Sequence, residues 1–296
     1  MTRPRDEGPL NDTDVSVTVV IPMFNAVSTI ERTIRSVLDQ TVQPTRIIVV
    51  DDASTDGSTN LVSAMNVRGL ELVPLDRNGG ASVARNEGAR RAATEWIGFL
   101  DADDFWEPTF IEEITAGVRS TGARFASTGG VRVLRNKGVQ HRLIPGPASA
   151  TDQTRNFWRI AIKFVPAHPS FTIVRRDLFE QVGGFPEHLR AGEDWVLWSR
   201  LWLEGRFAFI NKPLASWVLT SHGASAHLQP ITNEWAVDFA LARTLLVALR
   251  RRREGSIWFA VWLIRTAARR QIAYAITGAG NVMSRIGNGM KRARLR

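Results

Sequence analysis

Three aspartates fall within four residues at Asp101, Asp103 and Asp104, at the end of the apolar run 96–100 in "WIGFLDADDFWEP". Like charges this close repel one another and raise each other's pKa. Such a cluster implies either a cation set against it or water that screens it. In an extended chain, residues i and i+2 point to the same side, so the carboxylates of Asp101 and Asp103 converge. Paired carboxylates suit a hard cation such as Mg²⁺ or Mn²⁺, which completes its shell with substrate phosphates. An isolated DAD reads equally well as a turn that caps a helix. The second acidic pair, Asp51 and Asp52, ends another apolar run, "RIIVVDD", and this favours the cation reading.

Other groups can join this chemistry. Arg85 lies in "GGASVARNEG", near the start of a predicted helix after a glycine-rich turn. A guanidinium beside a helix N-terminus suits a diphosphate, although Arg85 taken alone reads as a solvated surface arginine. Asp194 opens the predicted helix "EDWVLWSRLWLEG". There the macrodipole favours the ionised form, and a carboxylate so placed either accepts a proton in a displacement or merely caps the helix. The histidines are His141, His168, His188, His222 and His227, and none has metalloprotease-like HExxH spacing. His222 and His227 sit in the small-residue loop "TSHGASAH", which either folds back over a site or stays in solvent.

The elements that position these groups follow from periodicity. "VSVTVVIP" (15–22), "RIIVVDD" (46–52), "LELVPL" (70–75) and "WIGFLDADD" (96–104) read as strands. Between them, 28–40, 57–65 and 79–93 read as helices. Ser28 and Glu31 have capping-box spacing, and Ile30, Ile34, Val37 and Leu38 form an apolar face. Alternating strands and helices of this length imply βαβ units and a mostly parallel sheet. Ligands bind beyond the carboxyl ends of such strands, where both acidic clusters fall. Further along, a helix is predicted at 108–120, strands near 124–134 and 138–144, and a strand, short helix and Gly-Gly turn over 169–185.

Composition narrows the class. The 296 residues are 44% hydrophobic, enough for one large domain with a sizeable core or for one domain with an appendage. With no cysteine, a disulfide framework and a thiolate metal site are excluded. The polar start "MTRPRDEGPLNDTD" carries no apolar signal segment, and no apolar run reaches transmembrane length. Residues 241–296 hold 13 Arg or Lys against the one acid Glu254, a net +12; the whole chain carries +9, so residues 1–240 carry −3. A mildly acidic body is not that of a nucleic-acid binder.

Taken in order, "VVIPMFN", "VVDDASTDGS", "NGGASVARNEG", "FLDADD" and "GEDWVLWSRL" resemble the inverting nucleotide-sugar glycosyltransferases of family 2, which have the GT-A fold. The resemblance runs from about Val15 to about His222. It implies a Rossmann-like α/β domain over 15–224, with a nucleotide-binding half to about residue 104 and an acceptor half after it. Residues 1–14 are expected to be a disordered tail and 225–296 a basic helical extension.

The resemblance also implies roles. Pro22, Phe24 and Asn25 would lie beside the nucleotide, with Asp52 hydrogen-bonded to the base. Arg85 would approach the base or the diphosphate. Asp101 and Ala102 would hold the ribose side, with Asp103, and His222 in some members, on a Mn²⁺ or Mg²⁺ ion. Asp194 would be the catalytic base, with Trp106, Glu193 and Trp195 on the acceptor side. Many relatives have tyrosine where this chain has Phe24. The change keeps stacking on a base and loses a phenolic hydrogen bond, so uridine is the first expectation, with thymidine or guanosine as alternatives. The expected partners are a nucleoside-diphosphate sugar and a glycan or lipid-linked acceptor.

Two other readings compete. A DxD phosphatase of the haloacid dehalogenase type needs threonine or valine where Phe105 stands. A binding module without turnover has no need of Asp194 as a base. A Rossmann dehydrogenase is excluded because no GxGxxG follows "VTVVIP". In the C-terminal segment, Ile257, Val261, Ile264, Ala268, Ile272 and Ala275 form one helical stripe, beside Trp258, Trp262, Arg265 and Arg269. Such a helix either lies in a membrane interface or packs on the domain. The expected location is cytoplasmic, in the former case on the cytoplasmic face of the membrane.

Overall fold

The computed structural model describes residues 15–134, 140–144, 157–162, 166–189, 191–219 and 234–266. The first half alternates strictly: β1 (Val17–Met23), α1 (Ile30–Leu38), β2 (Arg46–Asp51), α2 (Ser58–Ala64), β3 (Leu70–Pro74), α3 (Ala81–Arg91) and β4 (Trp96–Phe99). Its strands pair in parallel in the order β3-β2-β1-β4. The β-branched runs are buried on both faces, as parallel strands covered by helices require. Val19 and Ile21 of β1 face a core with α1, whereas Val20 faces the core on the other side of the sheet.

The second half extends the same sheet. It contains β5 (Phe105–Trp106), α4 (Phe110–Thr121), β6 (Phe125–Leu134), β7 (Gln140–Ile144), α5 (Phe157–Ala161) and a 3-10 turn at Pro169–Phe171. β8 (Thr172–Arg175), α6 (Arg176–Gln181), α7 (Glu193–Glu204), β9 (Phe207–Leu219) and α8 (Glu234–Arg250) follow. β8 runs antiparallel between β4 and β6, β9 runs parallel to β6, and β5 runs antiparallel to β9. β9 is thereby carried under the loop that holds the three aspartates.

Two local expectations change. α1 starts at Ile30 with Thr29 as N-cap and no side-chain cap bond. Glu31 is therefore the second helical residue rather than the third, the capping box does not form, and Glu31 pairs with Arg35 at 2.6 Å instead. In the C-terminal segment, helical residues 256–266 pack onto the domain. Phe259 stacks on Trp158 at 3.9 Å, and Trp262 lies 4.6 Å from Trp195. Trp262 is therefore buried rather than at an interface with lipid. The stripe positions beyond residue 266, residues 1–14, His222 and His227 lie outside the described residues.

Candidate active site

The loop after β1 is sewn to the loop after β2. Asn25 Oδ1 accepts from the Thr55 amide at 2.8 Å, and Ser54 Oγ accepts from the Asn25 amide at 2.9 Å. Asp56 Oδ2 accepts from the Val27 amide and Ser58 Oγ from the Ala26 amide, both at 2.9 Å. Pro22 is buried in β1, while Phe24 stands half exposed on the loop. Asp51 accepts from the Ser54 amide at 3.0 Å and from the Thr59 hydroxyl.

Asp52 is buried, and its two oxygens accept from the amides of Gly79 (2.6 Å) and Gly80 (2.8 Å). This fixes the glycine-rich turn where α3 begins. α3 then lies close against the sheet: a Cβ on Gly88 would stand 2.3 Å from Val20 Cγ1. One turn earlier on the same face, Arg85 is brought over the carboxyl ends of β1 and β4. Its guanidinium is buried, with Nη2 2.6 Å from Asp101 Oδ1 and Nη1 3.4 Å from Glu193 Oε1. It also lies 5.1 Å from the centre of the Phe185 ring. Burial would lower the Arg85 pKa, but Asp101 and Glu193 outweigh it and hold the group firmly cationic.

The aspartate loop is braced from beneath. Asp104 is fully buried; its Oδ2 accepts from Ser170 Oγ at 2.5 Å and its Oδ1 from the Val218 amide at 2.8 Å. Ser170 Oγ also accepts from the Asp101 amide at 3.1 Å. Burial, with Asp103 and Asp101 beside it, pushes the Asp104 carboxyl well above the carboxylate range. Burial alone would raise Asp101 too, but the Arg85 guanidinium holds it below its ordinary value. The Ala102 carbonyl accepts from Thr33 Oγ1 at 3.0 Å, and the Asp103 carbonyl from Arg32 Nη2 at 2.6 Å.

The ligand atoms of Asp101, Asp104 and His168 lie within 4.8 Å of one another. Burial drives the His168 imidazole down to about 4, so it is neutral near pH 7. Asp101 and the neutral imidazole suit a hard or borderline divalent cation as they stand, and Asp104 would join them on losing its proton as the cation binds. Asp103, expected to be a metal ligand, is partly exposed and is not one of these three residues. Nothing in the sequence around His168 and Ser170 announces their part. "HPSF" has no metal spacing, and only the long-range pairing of β8 with β4 brings them beneath the aspartates.

Trp106, expected on the acceptor side, is turned into the core. Its ring is buried, stacked on Phe110 at 4.0 Å, with Nε1 donating to the Ser170 carbonyl at 2.6 Å. Trp195 is partly buried in the aromatic cluster with Trp158 and Trp262.

α7 begins after Gly192, whose φ of 75° is left-handed. Gly192 is thus the N-cap, which excludes the plain-cap reading of Asp194. Asp194 Oδ1 accepts from the Trp195 amide at 2.8 Å. Its pKa differs from the low value that the macrodipole suggests. Burial and the neighbouring Glu193 carboxylate raise it to about 7, against the opposing pull of the Trp195 amide and Arg85.

The site thus gathers a strand-end acidic cluster, a buried arginine and a helix-start carboxyl with a raised pKa. The sequence pattern of "Glycosyl transferase family 2" matches residues 18–183, more than half of the chain. TuaG of Bacillus subtilis, named for teichuronic acid biosynthesis, is 29% identical over 215 residues, covering 71% of this chain and 82% of its own length. The succinoglycan biosynthesis protein ExoO of Rhizobium meliloti is 34% identical over 198 residues, covering 64% of this chain but only 56% of its own length. The structure of S. aureus TarS 1-349 with UDP-GlcNAc superposes with a TM-score of 0.64 at 21% identity, covering 78% of this chain and 66% of that one. The fold is thus GT-A-like, and the chain belongs to glycosyl transferase family 2. It is a glycosyltransferase.

Proposed function

We propose that the protein moves a sugar from a nucleoside-diphosphate sugar, UDP-linked in first place, to a hydroxyl of a glycan or lipid-linked acceptor, with inversion at the anomeric carbon. The observation that carries this reading is the buried Arg85 between Asp101 and Glu193, which joins the strand-end carboxylates to the helix start bearing Asp194. TarS solved with UDP and with UDP-GlcNAc supports the donor class. TarP, a poly(ribitol-phosphate) β-N-acetylglucosaminyltransferase 37% identical over 102 residues, supports a glycan-type acceptor, as do the biosynthetic names of TuaG and ExoO.

The residues divide the work. Phe24 offers an exposed ring for base stacking, beside Asn25 and Asp52. Asp101 and His168, with Asp104 once deprotonated, would hold Mn²⁺ or Mg²⁺, and Asp103 would add a further carboxylate from the same loop. When bound, the cation supplies positive charge against the departing diphosphate. Arg85 fixes Asp101 and Glu193 and adds a buried positive potential beside the leaving group. Asp194 accepts the proton from the acceptor hydroxyl as the hydroxyl oxygen bonds to the anomeric carbon. The bond from that carbon to the diphosphate oxygen breaks on the opposite face, and its electron pair leaves with the nucleotide. A base with a pKa near the working pH suits this transfer.

A thermal-shift panel of nucleotide sugars with Mn²⁺ or with chelator tests the reading. A donor at 100 times its Kd stabilises by about 2.7 kcal/mol, so one sugar nucleotide is expected to raise Tm and to lose the effect with chelator. No shift from any nucleotide sugar overturns the reading.

A further inference from the structure

The two C-terminal helical pieces each have one face against the domain. α8 buries Val237, Leu241, Thr244 and Ala248, and Thr244 Oγ1 accepts from Ser199 Oγ of α7 at 3.4 Å. Residues 256–266 bury Phe259 and Trp262 against Trp158, Trp195 and Trp202. At 100° per residue, the opposite face of α8 carries Phe239, Arg243, Leu246 and Arg250, all exposed. The opposite face of 256–266 carries Ile257, Val261, Ile264 and Arg265, again exposed.

These are not scattered apolar residues. Ile257 is 74% exposed, Ile264 70%, Phe239 69% and Leu246 57%, and all sit on faces turned away from the domain. A solvated helix face is polar, and an exposed apolar one of this size marks an interaction surface. Its charge narrows the partner. Arg243, Arg250, Arg252 and Arg265 are exposed on or between these helices beside the exposed acid Glu254, while Arg251 pairs with Glu204 at 2.6 Å, and residues 241–296 hold a net +12 against −3 for the rest of the chain.

We propose that this double face docks on an anionic phospholipid bilayer surface. Large aliphatic and aromatic side chains interleaved with arginine are the composition of a helix lying in the interface. Each basic residue near an anionic leaflet adds about 1 kcal/mol. A second copy is disfavoured as occupant because pairing through this face would set two strongly basic segments together. Among the described residues, no helix is long and apolar enough to cross a membrane. Trp262 links the docked helix to Trp195, the residue after Asp194, so docking anchors the start of α7 near the bilayer. The proposal stands apart from the transfer chemistry.

The test is co-sedimentation of the full chain with vesicles of phosphatidylcholine alone or mixed with phosphatidylglycerol, at low and high salt. Ile257→Glu/Ile264→Glu is the variant, since both positions are exposed, and circular dichroism confirms that it folds. The wild type is expected to sediment with the mixed vesicles and less so at high salt. The double variant is expected to partition about tenfold or more weakly, because burying these side chains is what the interface rewards. Three results overturn the proposal: a wild type that stays in the supernatant, equal sedimentation of wild type and variant, or a dimer by light scattering that dissolves in the variant without any vesicle binding.

Discussion

Arg85 Nη2 lies 2.6 Å from Asp101 Oδ1, and this buried ion pair, extended to Glu193 at 3.4 Å, joins two motifs more than 90 residues apart in sequence. Arg85 is 5% exposed, so removing it would leave two carboxylates without their counter-charge. Breaking a buried pair costs about 3–5 kcal/mol. Arg85→Ala is expected to lower stability by that order in denaturant unfolding. Arg85→Lys keeps the charge but cannot span both carboxylates with a planar fork, so it should retain more stability and still lose donor affinity. An alanine variant as stable as wild type would remove Arg85 from the centre of the site.

The placement of Arg85 depends on Gly88. Because a Cβ there would meet Val20 Cγ1 at 2.3 Å and Val50 Cγ2 at 3.2 Å, Gly88→Val must push α3 off the sheet. Overpacking costs about 1–3 kcal/mol, to be read as a lowered denaturation midpoint. Donor binding should weaken with it, since the guanidinium moves with the helix.

Asp103 is tested by calorimetry with UDP and Mn²⁺. Asp103→Ala is expected to lose the metal-dependent part of nucleotide binding while keeping its fold. If affinity is unchanged, the cation is held by Asp101, Asp104 and His168 without Asp103.

The strands, helices and acidic rim were legible because parallel strands buried on both faces leave uninterrupted β-branched runs, and because Asp51, Asp52 and Asp101 fall where those runs stop. The Asp194 helix start was equally plain. Its protonation was not, because burial and the Glu193 carboxylate outweigh the Trp195 amide and the distant Arg85 there, and neither the burial nor Arg85 can be read from the local sequence. His168 and Ser170 were invisible for a similar reason: β8 delivers them to the aspartate loop from nearly 70 residues away in sequence. Trp106 misled because a tryptophan after a strand-end acid reads the same whether it faces a ligand or, as here, packs on Phe110. The C-terminal stripes were readable as stripes, but which one meets the domain is decided by the aromatic cluster of Trp158, Trp195 and Trp202.

The Asp194 carboxyl titrates near 7 in the folded protein, against about 3.9 when unfolded. Its neutral form is favoured by folding, so its contribution to stability is present below about pH 4 and is lost as pH rises toward 7. Catalysis follows the opposite sign, since the base acts when ionised. With Glu193, Arg85 and Asp101 as the charged neighbours, kcat/KM is expected to rise with an apparent pKa near 7, and Asp194→Asn should abolish that limb. A rate already flat from pH 5 upward would place the base elsewhere.

The proposed role of Asp194, taking the acceptor proton beside Asp101 and Arg85, is tested by measuring nucleoside-diphosphate release and donor affinity side by side for wild type and Asp194→Asn. Donor affinity is expected within a few-fold of wild type and turnover lower by about 10²–10⁴-fold, the usual contribution of a positioned acid–base group. Turnover within tenfold of wild type, or loss of donor binding in a folded variant, would contradict it.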